Sequence, residues 1–112
     1  MNYISTRNKS LNFNFSDIFL RGLAPDGGLF LPKEINKFSD EELKKLSTLN
    51  YIDLGVEIIS KFCSPVLDKN KIKALLEKAY VDFNTKEVVE IKKIDNLNLL
   101  ELYHGPTLAF KD

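Results

Sequence analysis

The side chains of this chain that could do chemistry are few, and most gather at its carboxyl end. His104, the sole histidine, and Lys111 are separated by Gly105-Pro106-Thr107-Leu108-Ala109-Phe110 and followed by Asp112. A histidine exchanges protons near neutral pH, a lysine brings a primary amine, and a threonine hydroxyl can cap a helix or bond to backbone. Each also has a plain structural reading. His104 could be a loop residue satisfied by backbone, Thr107 the N-cap of a helix carrying Lys111, and Lys111 one of fourteen lysines on a solvated surface. Cys63, the one cysteine, falls on an apolar helical face without a basic neighbour in sequence, so it reads as a small core residue rather than a nucleophile. No His, Cys and carboxylate set has metal-ligand spacing, so no metal is expected, and nothing points to a Ser/His/Asp arrangement. Asp26-Gly27-Gly28 exposes backbone N–H groups of the kind that bind anions, although a structural turn is the favoured reading.

The composition narrows the partners of such residues. Sixteen cationic and sixteen acidic residues give zero formal charge, with no basic stripe of the sort nucleic acid requires. Of 112 residues, 44% are hydrophobic and 11% aromatic, enough for a core without disulfides or metal. One cysteine forbids an intrachain disulfide and suits a reducing compartment. The amino terminus, Met1-Asn2-Tyr3-Ile4-Ser5-Thr6-Arg7, lacks the apolar stretch of a secretory signal, and no apolar run approaches the roughly 20 residues of a membrane span. A cytoplasmic protein is expected, in which the sequons at Asn8 and Asn14 are chance matches.

The elements that must position the carboxyl-terminal residues follow from periodicity. Tyr3-Ile4-Ser5-Thr6 suits a short strand, Phe13 to Leu20 a helical turn or two, and Leu29-Phe30-Leu31 before Pro32 another strand. Between them, Ala24-Pro25-Asp26-Gly27-Gly28 is a turn in which Pro presets φ and Gly supplies a positive φ. Ser39 with Glu42 makes a capping box for a helix over about 39–48 with Leu43, Leu46 and Leu49 on one side. A second helix begins behind Asn50, gathers Ile52, Val56, Ile59, Phe62 and Cys63 on one face, and stops at Ser64-Pro65. Asp68 caps a third, whose apolar face is Ile72, Leu75, Leu76, Ala79, Tyr80 and Phe83. Two β-like runs, Val88 to Ile94 and Leu99 to Tyr103, flank a polar break at Asp95-Asn96 that suits a hairpin turn. The closing segment reads as a loop entering a new element, and Leu108, Ala109 and Phe110 need a partner to bury against, so a truncated chain is expected.

The ending Glu101-Leu102-Tyr103-His104-Gly105-Pro106-Thr107-Leu108-Ala109-Phe110-Lys111-Asp112 closely resembles the cofactor-lysine segment of the threonine synthases, pyridoxal-phosphate enzymes of the tryptophan-synthase β-like fold (fold type II). Tyr3-Ile4-Ser5-Thr6-Arg7 and Gly22-Leu23-Ala24-Pro25-Asp26-Gly27-Gly28-Leu29-Phe30-Leu31-Pro32 resemble the same family's amino-terminal signature, in order and at similar spacing. The resemblance implies an α/β protein. A small domain over residues 1–85, with three amphipathic helices on a few short strands, would precede the first strands of the catalytic domain at 86–112, and could close over substrate to exclude water.

It implies that Lys111 forms the Schiff base with pyridoxal 5'-phosphate and afterwards shuttles protons, its amine desolvated by neighbours such as Phe110 and Ala109. It also puts His104 and Thr107 near the cofactor, where either could bond to cofactor or substrate phosphate. Arg7 could meet substrate phosphate, with pairing to a carboxylate of its own domain favoured. Where many members carry Gly after that arginine this chain has Asn8, which also tolerates a positive φ. The implied reaction converts O-phospho-L-homoserine and water to L-threonine and phosphate. With no glycine-rich phosphate loop the 112 residues alone are expected to be inactive without the remainder of the catalytic domain. Two alternatives stand beside this: a related phospholyase acting on another phosphorylated substrate, and a non-catalytic interaction module.

Overall fold

Four capped helices and two antiparallel strand pairs form among the described residues, in the order β1 (Tyr3–Ser5), α1 (Phe15–Phe19), β2 (Phe30–Pro32), α2 (Asp40–Leu46), α3 (Tyr51–Cys63), α4 (Lys69–Ala79), β3 (Glu90–Ile94) and β4 (Leu97–Glu101). This computed structural model describes residues 1–35 and 37–112. Mixed α/β architecture is thus as expected, with α1 as a fourth, short helix where one or two turns were anticipated. Every helix begins at a side chain that accepts from the backbone three residues on: Asn14, Ser39, Asn50 and Asp68. At Asn14 and Ser39 the third helical residue, Asp17 or Glu42, bonds back and completes a capping box.

The core is where α3 meets α4. Val56 and Cys63 from α3 pack against Ile72 and Leu76 from α4, with Phe15, Ile52, Ile59, Leu67 and Tyr80 around them. Cys63 is buried there as a core residue, and burial raises its thiol pKa. The apolar stripe of α4 is narrower than its sequence suggests, because Leu75 is exposed and only Ile72 and Leu76 face α3. Likewise α2 ends at Leu46, and Leu43 and Leu49 stay exposed because no described element covers them.

β1 pairs with β2 in the register Tyr3↔Pro32 to Ser5↔Phe30, and the Tyr3 hydroxyl donates to the Phe62 carbonyl at 2.8 Å, fastening this sheet to α3. The intervening turn forms as read. Gly27 N–H donates to Ala24 C=O at 2.9 Å, and Gly27 sits at φ +75°. Asn8 does not take a positive φ; its side chain accepts from the Ser10 amide at 3.0 Å in a small Asx turn.

β3 and β4 form the expected hairpin, with Ile94↔Leu97 closing a tight turn whose Asp95 has φ 52°. Both strands differ at their ends from the sequence reading. β3 starts at Glu90 because Val88, buried, folds into the left-handed region at φ 63° and cannot continue extended backbone. β4 starts earlier, at Leu97, and ends at Glu101, which delivers the next residues into the loop that carries His104 and Lys111.

Candidate functional site

Glu101 ends β4 with its carboxylate 2% exposed, and it organises the loop beyond the strand. Lys92, from β3, brings Nζ to 2.9 Å of one carboxylate oxygen, and His104 Nε2 lies 2.8 Å from the other. Hydrogen bonding from Lys92, then from Tyr103, outweighs the effect of desolvation and lowers the Glu101 pKa to about 2. The His104 main chain is held as well, since its carbonyl accepts from Asn84 N–H at 2.9 Å, and the Tyr103 ring lies 4.8 Å from its imidazole.

The far end of the loop is closed by Asp112. Its carboxylate accepts from the Thr107 amide at 2.9 Å and from the Thr107 hydroxyl, and the Thr107 bonds lower its pKa. Residues 107–112 form turns rather than the helix for which Thr107 was expected as N-cap. Gly105 is required here, because a Cβ at that position would run into the Asp112 side chain. Leu108 adopts φ 60°, a left-handed conformation that is strained for a leucine.

Lys111 therefore sits on a loop pinned at both ends. It is exposed and, among the described residues, has no carboxylate within ion-pair distance. The desolvation expected from its sequence neighbours is not supplied by them: Phe110 is 74% exposed, with its ring centre 6.0 Å from Lys111 Nζ. Lys111 instead borders a cavity of about 200 Å³ whose other walls include Tyr51, Tyr80, Phe83, Val88 and Phe110. Three of these form an edge-to-face chain, Tyr51 to Tyr80 at 5.3 Å and Tyr80 to Phe83 at 5.0 Å, and burial leads in raising the Tyr80 pKa. The structure thus brings His104, Thr107 and Lys111 onto one loop, and aromatic residues from α3 and the segment after α4 beside the lysine.

Several participants escaped the sequence reading. Glu101 precedes His104 by three residues, a separation that means nothing until β4 ends and the chain turns back. Register pairs Glu90 with Glu101, so Glu90, Glu101 and His104 bring ligand atoms within 4.8 Å of one another. This corrects the view that no such set exists, but Lys92 already occupies Glu101 and sets a positive charge against any cation there.

The glycine turn lies in the β1–β2 region and its amides are spoken for: Gly27 N–H donates to Ala24 and Gly28 N–H to Asp26 Oδ1. Neither is left to cradle an anion. Arg7 binds the backbone carbonyl of Asp26 at 3.1 Å rather than a carboxylate. Ser5 leads in lowering the Asp26 pKa, donating to its Oδ1 at 2.7 Å.

Residues 2–80 match the family model described as threonine synthase N terminus. The chain is 39% identical over 113 residues to a threonine synthase of Pseudomonas aeruginosa, covering 100% of this chain and 24% of that protein. It is 41% identical over 112 residues to a human protein named threonine synthase-like 2, covering 98% of this chain and 23% of the other. In three dimensions it superposes on a PLP-bound threonine synthase from Brucella melitensis with a TM-score of 0.92 and 36% identity, over 99% of this chain and 24% of that one. A yeast threonine synthase superposes with a TM-score of 0.89 at 34% identity, over 98% and 23% of the two chains. The chain spans about a quarter of the length of the relatives it matches.

Proposed function

Since the chain belongs to the threonine synthase N-terminus family, we propose that it contributes the amine-bearing loop of a pyridoxal-phosphate-dependent lyase that makes L-threonine and phosphate from O-phospho-L-homoserine and water. The observation that carries this reading is Lys111: an exposed primary amine free of any carboxylate among the described residues, beside an aromatic-walled cavity and on a loop tied at both ends. That setting fits a covalent link from the amine to the cofactor aldehyde, and the Tyr51–Tyr80–Phe83 wall suits a flat ring. The described glycines do not fit the cofactor's phosphate, because both amides of the one Gly-Gly pair are already bonded. The remainder of the catalytic domain supplies that cradle and completes the cleft.

The bound cofactor supplies an electron sink for carbanions at the substrate. Residues of this chain do the rest of what can be derived. Lys111 Nζ holds the cofactor, then stands as a free amine able to take and return protons at substrate carbons, a task favoured once the closed cleft removes water. Thr107 orients the loop, since its hydroxyl is committed to Asp112. His104 is the loop residue with a ring nitrogen to offer a phosphate. We divide the chain into a domain over 1–85 and a catalytic part from 86 onward, a reading supported by an α3–α4 core that draws no residue from the β3–β4 hairpin. The hairpin's exposed Ile91, Leu97 and Leu100 suit burial against that remainder. Among the described residues no helix is long and apolar enough to cross a membrane, and a buried lone thiol suits a reducing cytoplasm.

A second reading keeps the same chemistry with another phosphorylated substrate, and it stands because the chain is about as similar to a protein named threonine synthase-like 2 (41% identical) as to a threonine synthase (39%). The test is phosphate release by the full-length protein from O-phospho-L-homoserine, with threonine quantified. Wild-type protein should yield equal amounts of both and Lys111→Ala neither. No phosphate from O-phospho-L-homoserine but Lys111-dependent phosphate release from another phosphorylated amine or alcohol would move the assignment to the second reading, and full activity in Lys111→Ala would overturn both.

A further inference from the structure

Lys111 has little of its own to aim it. Among the described residues no carboxylate lies within ion-pair distance of its amine, and the Phe110 ring 6.0 Å away is itself largely exposed. The direction of the amine therefore comes from the backbone of the loop, and whatever fixes that backbone aims the lysine. Local preference does not fix it. Leu108 stands at φ 60°, a region that an L side chain resists, and it is 66% exposed, so no packing of its own holds it there. The turn bonds, Leu108 N–H to Gly105 C=O at 3.1 Å and Asp112 N–H to Ala109 C=O at 3.2 Å, are at the long end of the usual range. The strong bonds are those of the Asp112 carboxylate, which accepts from both the amide of Thr107, at 2.9 Å, and its hydroxyl, and so ties residue 107 to residue 112. Gly105 leaves the room this needs, since a Cβ there would run into the Asp112 side chain. Asp112 is also the chain neighbour of Lys111, and both border the cavity of about 200 Å³.

We propose that Asp112 is a positioning residue: it clasps Thr107, closes the loop, and thereby holds the Lys111 amine at the cavity in the direction that reaches a cofactor aldehyde. The proposal rests on Lys111 being the cofactor amine, and adds to that reading what aims it. When a neutral amine joins an aldehyde, the nitrogen gives up two hydrogens and the carbon its oxygen, which leave as water while the C=N bond forms. No further reactant is needed, so the alignment of nitrogen and carbon governs the rate. A lysine aimed elsewhere reacts more slowly, while the cofactor's non-covalent contacts are untouched.

The experiment takes full-length protein stripped of cofactor, mixes it with pyridoxal phosphate, and follows by peptide mapping how fast Lys111 becomes reducible by borohydride. Equilibrium binding of pyridoxine 5'-phosphate, which has no aldehyde, is measured beside it. Asp112→Ala should slow labelling of Lys111 on the order of 10- to 100-fold. Thr107→Val, which removes only the hydroxyl bond, should slow it less, and the two together no more than Asp112→Ala alone, because both open one clasp. Thr107→Ser, which keeps the hydroxyl, and Asp112→Asn, which can still accept from the amide and donate to the hydroxyl, should recover most of the loss. Pyridoxine phosphate binding should shift less than about three-fold throughout, since only alignment changes.

Equal rates in wild type and Asp112→Ala, or an Asp112→Asn loss as large as that of Asp112→Ala, would overturn the proposal. So would a fall in pyridoxine phosphate binding that matches the fall in labelling, because it marks a damaged fold rather than a misaimed amine. If Asp112→Ala fails to fold, Thr107→Val against Thr107→Ser decides: slower labelling in the first alone supports the proposal, and equal rates sink it. Absence of label on Lys111 in wild type removes the Lys111 reading and this proposal with it, whereas label on Lys111 at an unaltered rate in the variants removes the Asp112 proposal alone.

Discussion

A methyl group added at Gly28 would enter the most tightly bonded part of the β1–β2 region. The new Cβ would collide with Ser5 Oγ and approach Asp26 Oδ1 and Thr6 Oγ1 to 3.0 Å each. None of the three can yield freely. Ser5 is fully buried and its hydroxyl donates to Asp26 at 2.7 Å, while Asp26 Oδ1 also accepts from Gly28 N–H at 2.9 Å, and Thr6 Oγ1 accepts from Leu29 N–H at 2.9 Å. Overpacking costs about 1–3 kcal/mol, and about two displaced hydrogen bonds add about 1 kcal/mol each. Gly28→Ala should therefore cost about 3–5 kcal/mol locally. Gly22 is the control: its φ of +72° strains any side chain, but a Cβ there meets nothing within 4 Å. Gly22→Ala should cost only about 1 kcal/mol, the conformational penalty alone.

Native-state hydrogen exchange of the full-length protein, read at the Thr6 and Leu29 amides, measures this difference. Gly28→Ala should speed exchange on the order of 100-fold or more, at about 1.4 kcal/mol per decade, and Gly22→Ala about ten-fold at most. Equal effects from the two substitutions, or protected amides in Gly28→Ala, would refute the claim that this turn is a structural clasp.

Other outcomes stem from the same geometry. Ile72 is 2% exposed in the α3–α4 core, so Ile72→Ala should destabilise by about 2–5 kcal/mol, whereas Leu75→Ala, on the exposed side of α4, should stay within about 1 kcal/mol by denaturant unfolding. Asp68→Ala removes the cap that accepts from Lys71 N–H at 2.9 Å and should cost about 1 kcal/mol, visible as faster exchange in the first turn of α4. The Glu101 pKa is lowered from 4.5 to about 2 on folding, so the stabilisation by its ionised form is complete above 4.5 and is lost as pH falls from there toward 2. A pH titration of unfolding should show the wild-type advantage over Glu101→Gln shrinking across that window; an unchanged advantage would contradict it.

How much of this was legible depends on whether the signal was local. Ser39 with Glu42, Asn50 and Asp68 announce helix starts because capping involves residues three apart, and all three caps form. The hairpin turn at Asp95-Asn96 is equally local. The features that escaped depend on tertiary placement. The exposure of Leu75 reflects which elements lie against α4, and periodicity cannot report that. The positive φ of Val88 opposes β propensity and shortens β3, a tertiary override that no residue preference foretells. At the site, Lys111, His104 and Thr107 are proposed from their motif alone. The partners Glu101 and Asp112 were not legible, because each bond needs the chain to turn back on itself.

The central claim is that one amine of this chain carries the cofactor, and chemical trapping tests it most directly. Full-length protein incubated with pyridoxal phosphate, reduced with borohydride and digested should yield one phosphopyridoxyl-modified peptide, bearing the group on Lys111. Modification of a different lysine, or no modified peptide, would contradict the account.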